Sequence, residues 1–286
     1  MEGRIENRDI LDSRQFYLAV KRLADSLSYG TDRSPFLGAG VEYVQSRPYQ
    51  YGDPIKLIDW RVTARTRRVH VKEYEAPKRM PVYLLVDTSA SMTISSHHRS
   101  KYELAVFLAG GLALACLERI SPVGLLGIGG RNLHIRPSLS KDQVMQWLYK
   151  LRKYRFDEPT SLGDRLAELV PSLSHRVLVI VLSDLHDPKA IPSLRRVAQQ
   201  HDAVVLQLRD PAEDRLSGVG FVRGREAETG APVVVRGRAR WLDQERIDQQ
   251  FKSHGIDHML IETDRPFVSR FRQFFRLRDL LGRGAR

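Results

Sequence analysis

Asp87-Thr88-Ser89-Ala90-Ser91 places a carboxylate and two hydroxyls at alternate positions of one short segment. Three hard oxygen donors in one loop suit a hard divalent cation, Mg²⁺ or Mn²⁺, in an octahedral shell that keeps several waters. Such clusters also occur in plain turns, so the segment gains weight only from what lies near it. Two later segments supply that. Ser183-Asp184 ends a continuous apolar run, and Glu158-Pro-Thr-Ser-Leu-Gly-Asp164 carries Thr160 and Ser161 immediately before a helical pattern. Taken alone, Asp184 reads equally as a loop residue and either hydroxyl as a helix N-cap. His97-His98 offers imidazoles, but without further His or Cys nearby it reads as an exposed loop.

The elements that must position these residues alternate short β-rich runs with longer helical patterns from Pro81 onward, the signal of a parallel α/β sheet. Strands are expected at Val82 to Asp87, Val123 to Gly129, Val177 to Asp184, Ala203 to Leu208 and Gly255 to Ile261. The runs do not alternate polar with apolar, so both faces of the sheet are expected to be covered. Ser100-x-x-Glu103 is a capping box opening a helix to about Arg119. Further helices fit Lys141 to Lys153, Ser161 to Val170, Ile191 to His201, Leu242 to Ser253 and Phe267 to Leu281. The expected fold class is therefore α/β, a three-layer, doubly wound, mostly parallel sheet. In such sheets ligands bind beyond the carboxyl ends of the strands where the winding reverses, which would set Asp87 and Asp184 face to face.

Before Pro81 the texture differs. Phe16, Val20, Leu23 and Leu27 share one helical face, and a Gly, Pro, Tyr and Arg-rich stretch from Tyr29 to Arg68 reads as irregular. Alternation in Val69 to Tyr74 predicts a strand. The organisation expected is an N-terminal extension over 1–80 that docks on an α/β domain over 81–286, with a hairpin inserted at about 210–237. Asp53, Asp59, Trp60, Arg61 and Arg65 crowd the extension. Their first reading is structural, with Asp–Arg pairs pinning the segment and Trp60 as its apolar anchor; the second is a partner surface.

The chain of 286 residues is 42% hydrophobic and 28% charged, which excludes collagen-like, low-complexity and wholly disordered classes. A formal charge of +12 permits an anionic partner without naming one. The one cysteine, Cys116, sits in an apolar segment, as suits a reducing compartment, and the longest charge-free apolar run, Leu104 to Leu117, is shorter than the roughly 20 residues of a membrane span. A cytoplasmic protein with no membrane span is expected.

The pattern Asp87-x-Ser89-x-Ser91, Thr160, Asp184 resembles the metal-ion-dependent adhesion site of von Willebrand factor A-like domains. That resemblance implies that all five residues hold a divalent ion, Mg²⁺ ahead of Mn²⁺, directly or through water, and that a carboxylate from a protein partner completes the shell. Thr160 is preferred to Ser161 for its place before Ser-Leu-Gly-Asp. Upstream, Arg33-Ser34, Gly38-x-Gly40-Val-Glu-Tyr43, Arg47-x-Tyr49-x-x-Gly52-Asp53, Ile58-Asp59-Trp60-Arg61, Ala64-Arg65 and Lys72-Glu73-Tyr74-Glu75, with Glu228-Thr-Gly230 downstream, resemble the bacterial family catalogued as domain of unknown function 58. Members are often encoded beside MoxR-type AAA+ ATPases, and many carry N-terminal membrane helices that this chain lacks. The function implied is a non-enzymatic, metal-dependent interaction module serving such an ATPase and a client protein.

Two other classes fit less well. A Mg²⁺-dependent phosphotransferase of the haloacid-dehalogenase type needs a second acid two residues after Asp87, where Ser89 stands. No phosphate-binding P-loop or Gly-x-Ser-x-Gly elbow is present, and Gly127-Ile-Gly129-Gly130 lacks the dinucleotide spacing. Nucleic-acid binding would use the seven basic residues between Arg61 and Arg79 or the seven arginines from Arg265 to Arg286. The Phe267, Phe271, Phe274 and Phe275 spacing there fits burial of a helix face better than base stacking.

Overall fold

A computed structural model of the chain describes residues 2–4, 20–25, 42–75, 80–131, 133–214, 221–225, 231–236 and 243–280. In chain order these form β1 (Glu2–Arg4), helix α1 (20–25), β2 (Glu42–Pro48), α2 (Trp60–Thr66), β3 (His70–Glu75), β4 (Val82–Val86), α3 (Ala90–Thr93) and α4 (Lys101–Glu118). There follow β5 (Val123–Gly127), β6 (His134–Ser138), α5 (Lys141–Leu151), β7 (Lys153–Arg155), α6 (Leu162–Leu169), β8 (Leu178–Ser183), α7 (Ala190–Gln200) and β9 (Asp202–Arg209). The remainder are α8 (Pro211–Asp214), β10 (Phe221–Arg225), β11 (Pro232–Arg236), α9 (Gln244–Ser253), β12 (Asp257–Glu262) and α10 (Val268–Leu280).

The main sheet has six strands in the order β12-β9-β8-β4-β5-β6, parallel throughout except for β6, which runs antiparallel on β5. Every residue of β4, β5 and β8 is buried, as their unbroken apolar runs require of strands covered on both faces. Val82, Leu84 and Val86 face a core shared with α4, α5 and α10, while Tyr83 and Leu85 face a second core with α6, α7 and α9. The three expected layers follow directly. β4 pairs with β5 on one side and β8 on the other, so the winding reverses between β4 and β8.

Helix α4 forms the middle of one layer. Its capping box is complete: Ser100 Oγ accepts from the Glu103 amide at 3.1 Å, and Glu103 Oε2 accepts from the Ser100 amide at 3.0 Å. Gly110 and Gly111 let neighbours approach closely, since a methyl on Gly110 would lie 3.0 Å from Val20 and 3.2 Å from Leu148, and one on Gly111 only 2.4 Å from Leu23. Thus Val20, Leu23 and Ala24 of α1 are buried on α4. Phe16 and Leu27, predicted for the same face, lie outside the described residues. Phe267, immediately before the last helix, and Phe271 and Phe275 within it are buried at one-turn intervals, and Arg278 nearby is 9% exposed with Asp202 and Asp257 as ion partners.

Three expectations are corrected. The stretch from Tyr29 to Arg68 is not irregular where it is described: β2 pairs antiparallel with β3, and α2 follows a 3-10 turn at Ile55–Leu57. Residues 26–41 lie outside the described part. Trp60 is no anchor; it opens α2 at 69% exposure, and α2 buries none of its residues. Asp59 does not pair with a neighbouring arginine. It N-caps α2, accepting from the Arg61 and Val62 amides at 3.1 and 3.2 Å, and takes a 2.6 Å hydrogen bond from Ser46 Oγ. Asp53 does form an arginine pair, with Arg47, through two 2.8 Å hydrogen bonds. Arg61 and Arg65 are exposed on α2. Strand β6 and the short β1–β7 pairing were not foreseen. The expected inserted hairpin appears as β10 paired antiparallel with β11; Glu228 and Gly230 between them lie outside the described residues.

Trp60→Ala should change unfolding free energy by no more than about 0.5 kcal/mol, because the side chain is exposed. Gly124→Ala should cost roughly 1–3 kcal/mol, since its methyl would lie 2.7 Å from the Ile135 carbonyl and 2.9 Å from the Pro137 nitrogen. Chemical denaturation of both variants beside the wild type checks the pair.

Candidate metal centre

Asp87 follows β4 and Asp184 follows β8, and the two strands are adjacent and parallel with Val86 opposite Leu182. The two carboxylates therefore meet at the reversal point, at 0% and 1% exposure. Ser183 Oγ donates to Asp87 Oδ2 at 2.5 Å and accepts from the Leu185 amide at 3.0 Å. The Ser89 amide donates to Asp87 Oδ1 at 3.0 Å, an Asx-type turn that curls the loop back over its own carboxylate. The Ser89 and Ser91 hydroxyls lie 3.0 Å apart. Asp87, Ser89 and Ser91 are thus gathered as the spacing predicts. Leu185, directly after Asp184, holds a left-handed φ of 63°, uncommon for a bulky residue and a place where backbone strain is stored beside the two acids.

The electrostatics are asymmetric. Burial, followed by the like charge of Asp184, pushes the Asp87 carboxyl up to about 7 against the hydrogen bonds it receives. Burial would raise Asp184 as well, but the Lys101 ammonium, then His186, hold it below the ordinary carboxylate range. Lys101 Nζ donates to Asp184 Oδ2 at 2.7 Å, both side chains 1% exposed, and also pairs with Glu213 Oε1. His186 Nε2 lies 3.8 Å from Glu213 Oε2, and Asp184, His186 and Glu213 each have a donor atom within 4.8 Å of the others.

The third loop is braced by Glu158, which is 3% exposed. Its Oε1 accepts from Thr88 Oγ1 at 2.7 Å and from the Arg131 amide at 3.0 Å, its Oε2 from Arg131 Nε at 2.8 Å, and its carbonyl from the Ala90 amide at 2.7 Å. One acid thereby ties together the loops after β4, after β5 and before α6. Gly129 is required here, because a methyl would lie 2.2 Å from Glu158 Oε1 and 2.3 Å from Thr88 Oγ1. Thr160 stands half-buried two residues after Glu158. Ser161 occupies the N-cap position of α6 without making a cap hydrogen bond; its hydroxyl lies 3.3 Å from the Gly129 carbonyl. The cap comes from Asp187, whose Oδ2 accepts from the Gly163 amide at 2.8 Å.

The donor set fits a hard divalent cation: a buried carboxylate with too little positive charge around it, two hydroxyls beside it and a second acid across the crevice. His97 and His98 are exposed in a loop. That loop is tied down at Ser96, whose amide donates to Asp210 Oδ2 at 2.8 Å. Sequence reading missed Lys101, Glu158, His186 and Glu213. For Lys101 a signal existed: it is the first residue of a helix whose other charges are Glu103 and Glu118, and a lysine there opposes the helix dipole.

The family model described as "Protein of unknown function DUF58" matches residues 45–257. The chain belongs to that family. It is 26% identical over 270 residues to an uncharacterized protein of Mycobacterium tuberculosis and, over the same span, to one of Mycobacterium bovis, covering 90% of this chain and 85% of each relative. Among solved structures, the conserved hypothetical protein BatB from Bacteroides thetaiotaomicron aligns with a TM-score of 0.48 at 17% identity, over 70% of this chain and 98% of that one. Among the described residues of this family member, no helix is long and apolar enough to cross a membrane.

The raised Asp87 carboxyl sets a sign for pH dependence. With the folded value near 7 and the unfolded one near 4, the folded state holds the extra proton between them, so the contribution of Asp87 to stability falls as pH rises from about 4 through 7, opposite in sign to that of His201 and His258, whose imidazoles burial holds below their ordinary value. In chelator, Asp87→Asn should remove that decline and be the more stable protein at pH 8, by roughly 1–4 kcal/mol. Thermal or urea unfolding of both proteins across pH 4.5 to 8 measures it; a wild-type minus Asp87→Asn difference that does not fall toward pH 8 would contradict the assignment.

Proposed function

We propose that this chain is a non-enzymatic, metal-dependent protein-interaction module of the von Willebrand factor A-like kind. Asp87, Ser89, Ser91, Thr160 and Asp184 would hold Mg²⁺, or Mn²⁺ in its place, and a partner's carboxylate would complete the shell. The observation that carries the reading is the pairing of two sealed carboxylates at the reversal point with the Ser89 and Ser91 hydroxyls beside them. The sheet order, with a reversed edge strand at β6, is consistent with this class of domain.

Ser89 at the position where a phosphotransferase would need its second acid argues for binding over catalysis. The burial of Phe271 and Phe275 takes those rings away from base stacking and lowers the nucleic-acid alternative. The working assignment is an adaptor that brings a client protein to a MoxR-type AAA+ ATPase in the cytoplasm, with exposed Trp60, Arg61 and Arg65 as a second contact surface.

Affinity capture from the organism's own lysate, with Mg²⁺ or with chelator, tests the proposal. Wild type should retain an ATPase or its client only with Mg²⁺, and Asp87→Ala should lose at least about nine-tenths of that material. Equal capture by both proteins in both buffers would refute it. Recovery of RNA or DNA in place of protein would support the nucleic-acid alternative.

A further inference from the structure

Lys101 has no place in the ligand set, yet it is among the most enclosed charges of the molecule, at 1% exposure. Its ammonium donates to Asp184 Oδ2 at 2.7 Å and pairs with Glu213 at the start of the segment leading to β10. Two carboxylates in contact with the ammonium hold it as a cation in spite of its burial. Nothing in α4 calls for it. A positive charge in the first turn works against the helix dipole, and the capping box is already complete with Ser100 and Glu103. What calls for it is the crevice, where the sealed Asp87 and Asp184, with the partly exposed Glu213 at its edge, would otherwise face one another without a cation.

Resting on the metal-site reading above, we propose that Lys101 is the resident counter-cation of the crevice: it neutralises Asp184 when no divalent ion is bound and weakens the binding of one, so that firm occupancy requires a partner's carboxylate. An ion shared by Asp87 and Asp184 must enter against an ammonium in contact with one of its own ligands. Water screens little at such burial, so the repulsion is large. A partner carboxylate adds the negative charge that offsets it. Ion and partner then bind as one linked event, each raising the affinity for the other. Glu213 is the second support of the ammonium: it shares the positive charge that Asp184 alone would otherwise face.

The test is Mn²⁺ binding to the full chain without partner, read from the spin-resonance signal of free Mn²⁺. Lys101→Met should bind Mn²⁺ at least about tenfold more tightly than wild type, because the opposing charge is gone. Glu213→Gln should bind several-fold more weakly. Lys101→Gln, which keeps a hydrogen-bond donor, should follow Lys101→Met and serves if the methionine variant does not fold. A lysine with a merely structural role would give the opposite result, since its loss would loosen the site and lower Mn²⁺ affinity. If the Lys101 variants bind no more tightly than wild type while Asp87→Ala abolishes binding, the lysine proposal is overturned and the metal site stands. If Asp87→Ala leaves binding unchanged, or no protein in the series binds Mn²⁺, the metal site itself is overturned, and the lysine's role with it.

Discussion

Two carboxylates that cannot both be comfortable dominate this molecule. Asp87 and Asp184 are brought together by the most regular part of the fold, the adjacent parallel strands β4 and β8, in a crevice that water does not reach. Like charges in such a place must be relieved by a proton, an ammonium or a metal ion. Lys101 on Asp184 is the second of these, and the upward shift of the Asp87 carboxyl favours the first. The serine hydroxyls around Asp87 are the chemistry of the third.

The surrounding architecture keeps that conflict in place. Strands buried on both faces fix the heights of the two acids, and the left-handed Leu185 turns the chain away immediately after the second. Glu158 clamps three loops to one another through side-chain and backbone hydrogen bonds, with Gly129 leaving the room it needs. Asp187 fastens α6 to the loop before α7 by capping a helix that is not its own. On the proposed metal-site reading, a frame braced in this way would hold the ligands in position before an ion or partner arrives and so limit the ordering cost of binding.

What could be read in the sequence follows from the range over which each signal acts. β4, β8 and α4 were legible because their apolar runs and the Ser100–Glu103 box are local and unambiguous. β6 was not, since His134-Ile-Arg-Pro-Ser138 is a half-exposed edge strand containing a proline, which only an edge tolerates. α2 was hidden because it buries no residue and so presents no apolar stripe, and the same exposure makes Trp60 a surface residue where an anchor was expected. The cluster of Asp87, Ser89 and Ser91 was visible from its spacing. Lys101 and Glu158 were not, because their partners Asp184 and Thr88 lie 83 and 70 residues away. Topology alone brings them together.

The most direct measurement is the anomalous difference density of a crystal equilibrated with Mn²⁺. The account predicts a peak at coordination distance from the Asp87 carboxylate and from at least one of the Ser89 and Ser91 hydroxyls, with Asp184 in the same shell directly or through water. A peak elsewhere, or no peak in the crevice even when Mn²⁺ is raised far enough to saturate a site weakened by Lys101, would contradict it.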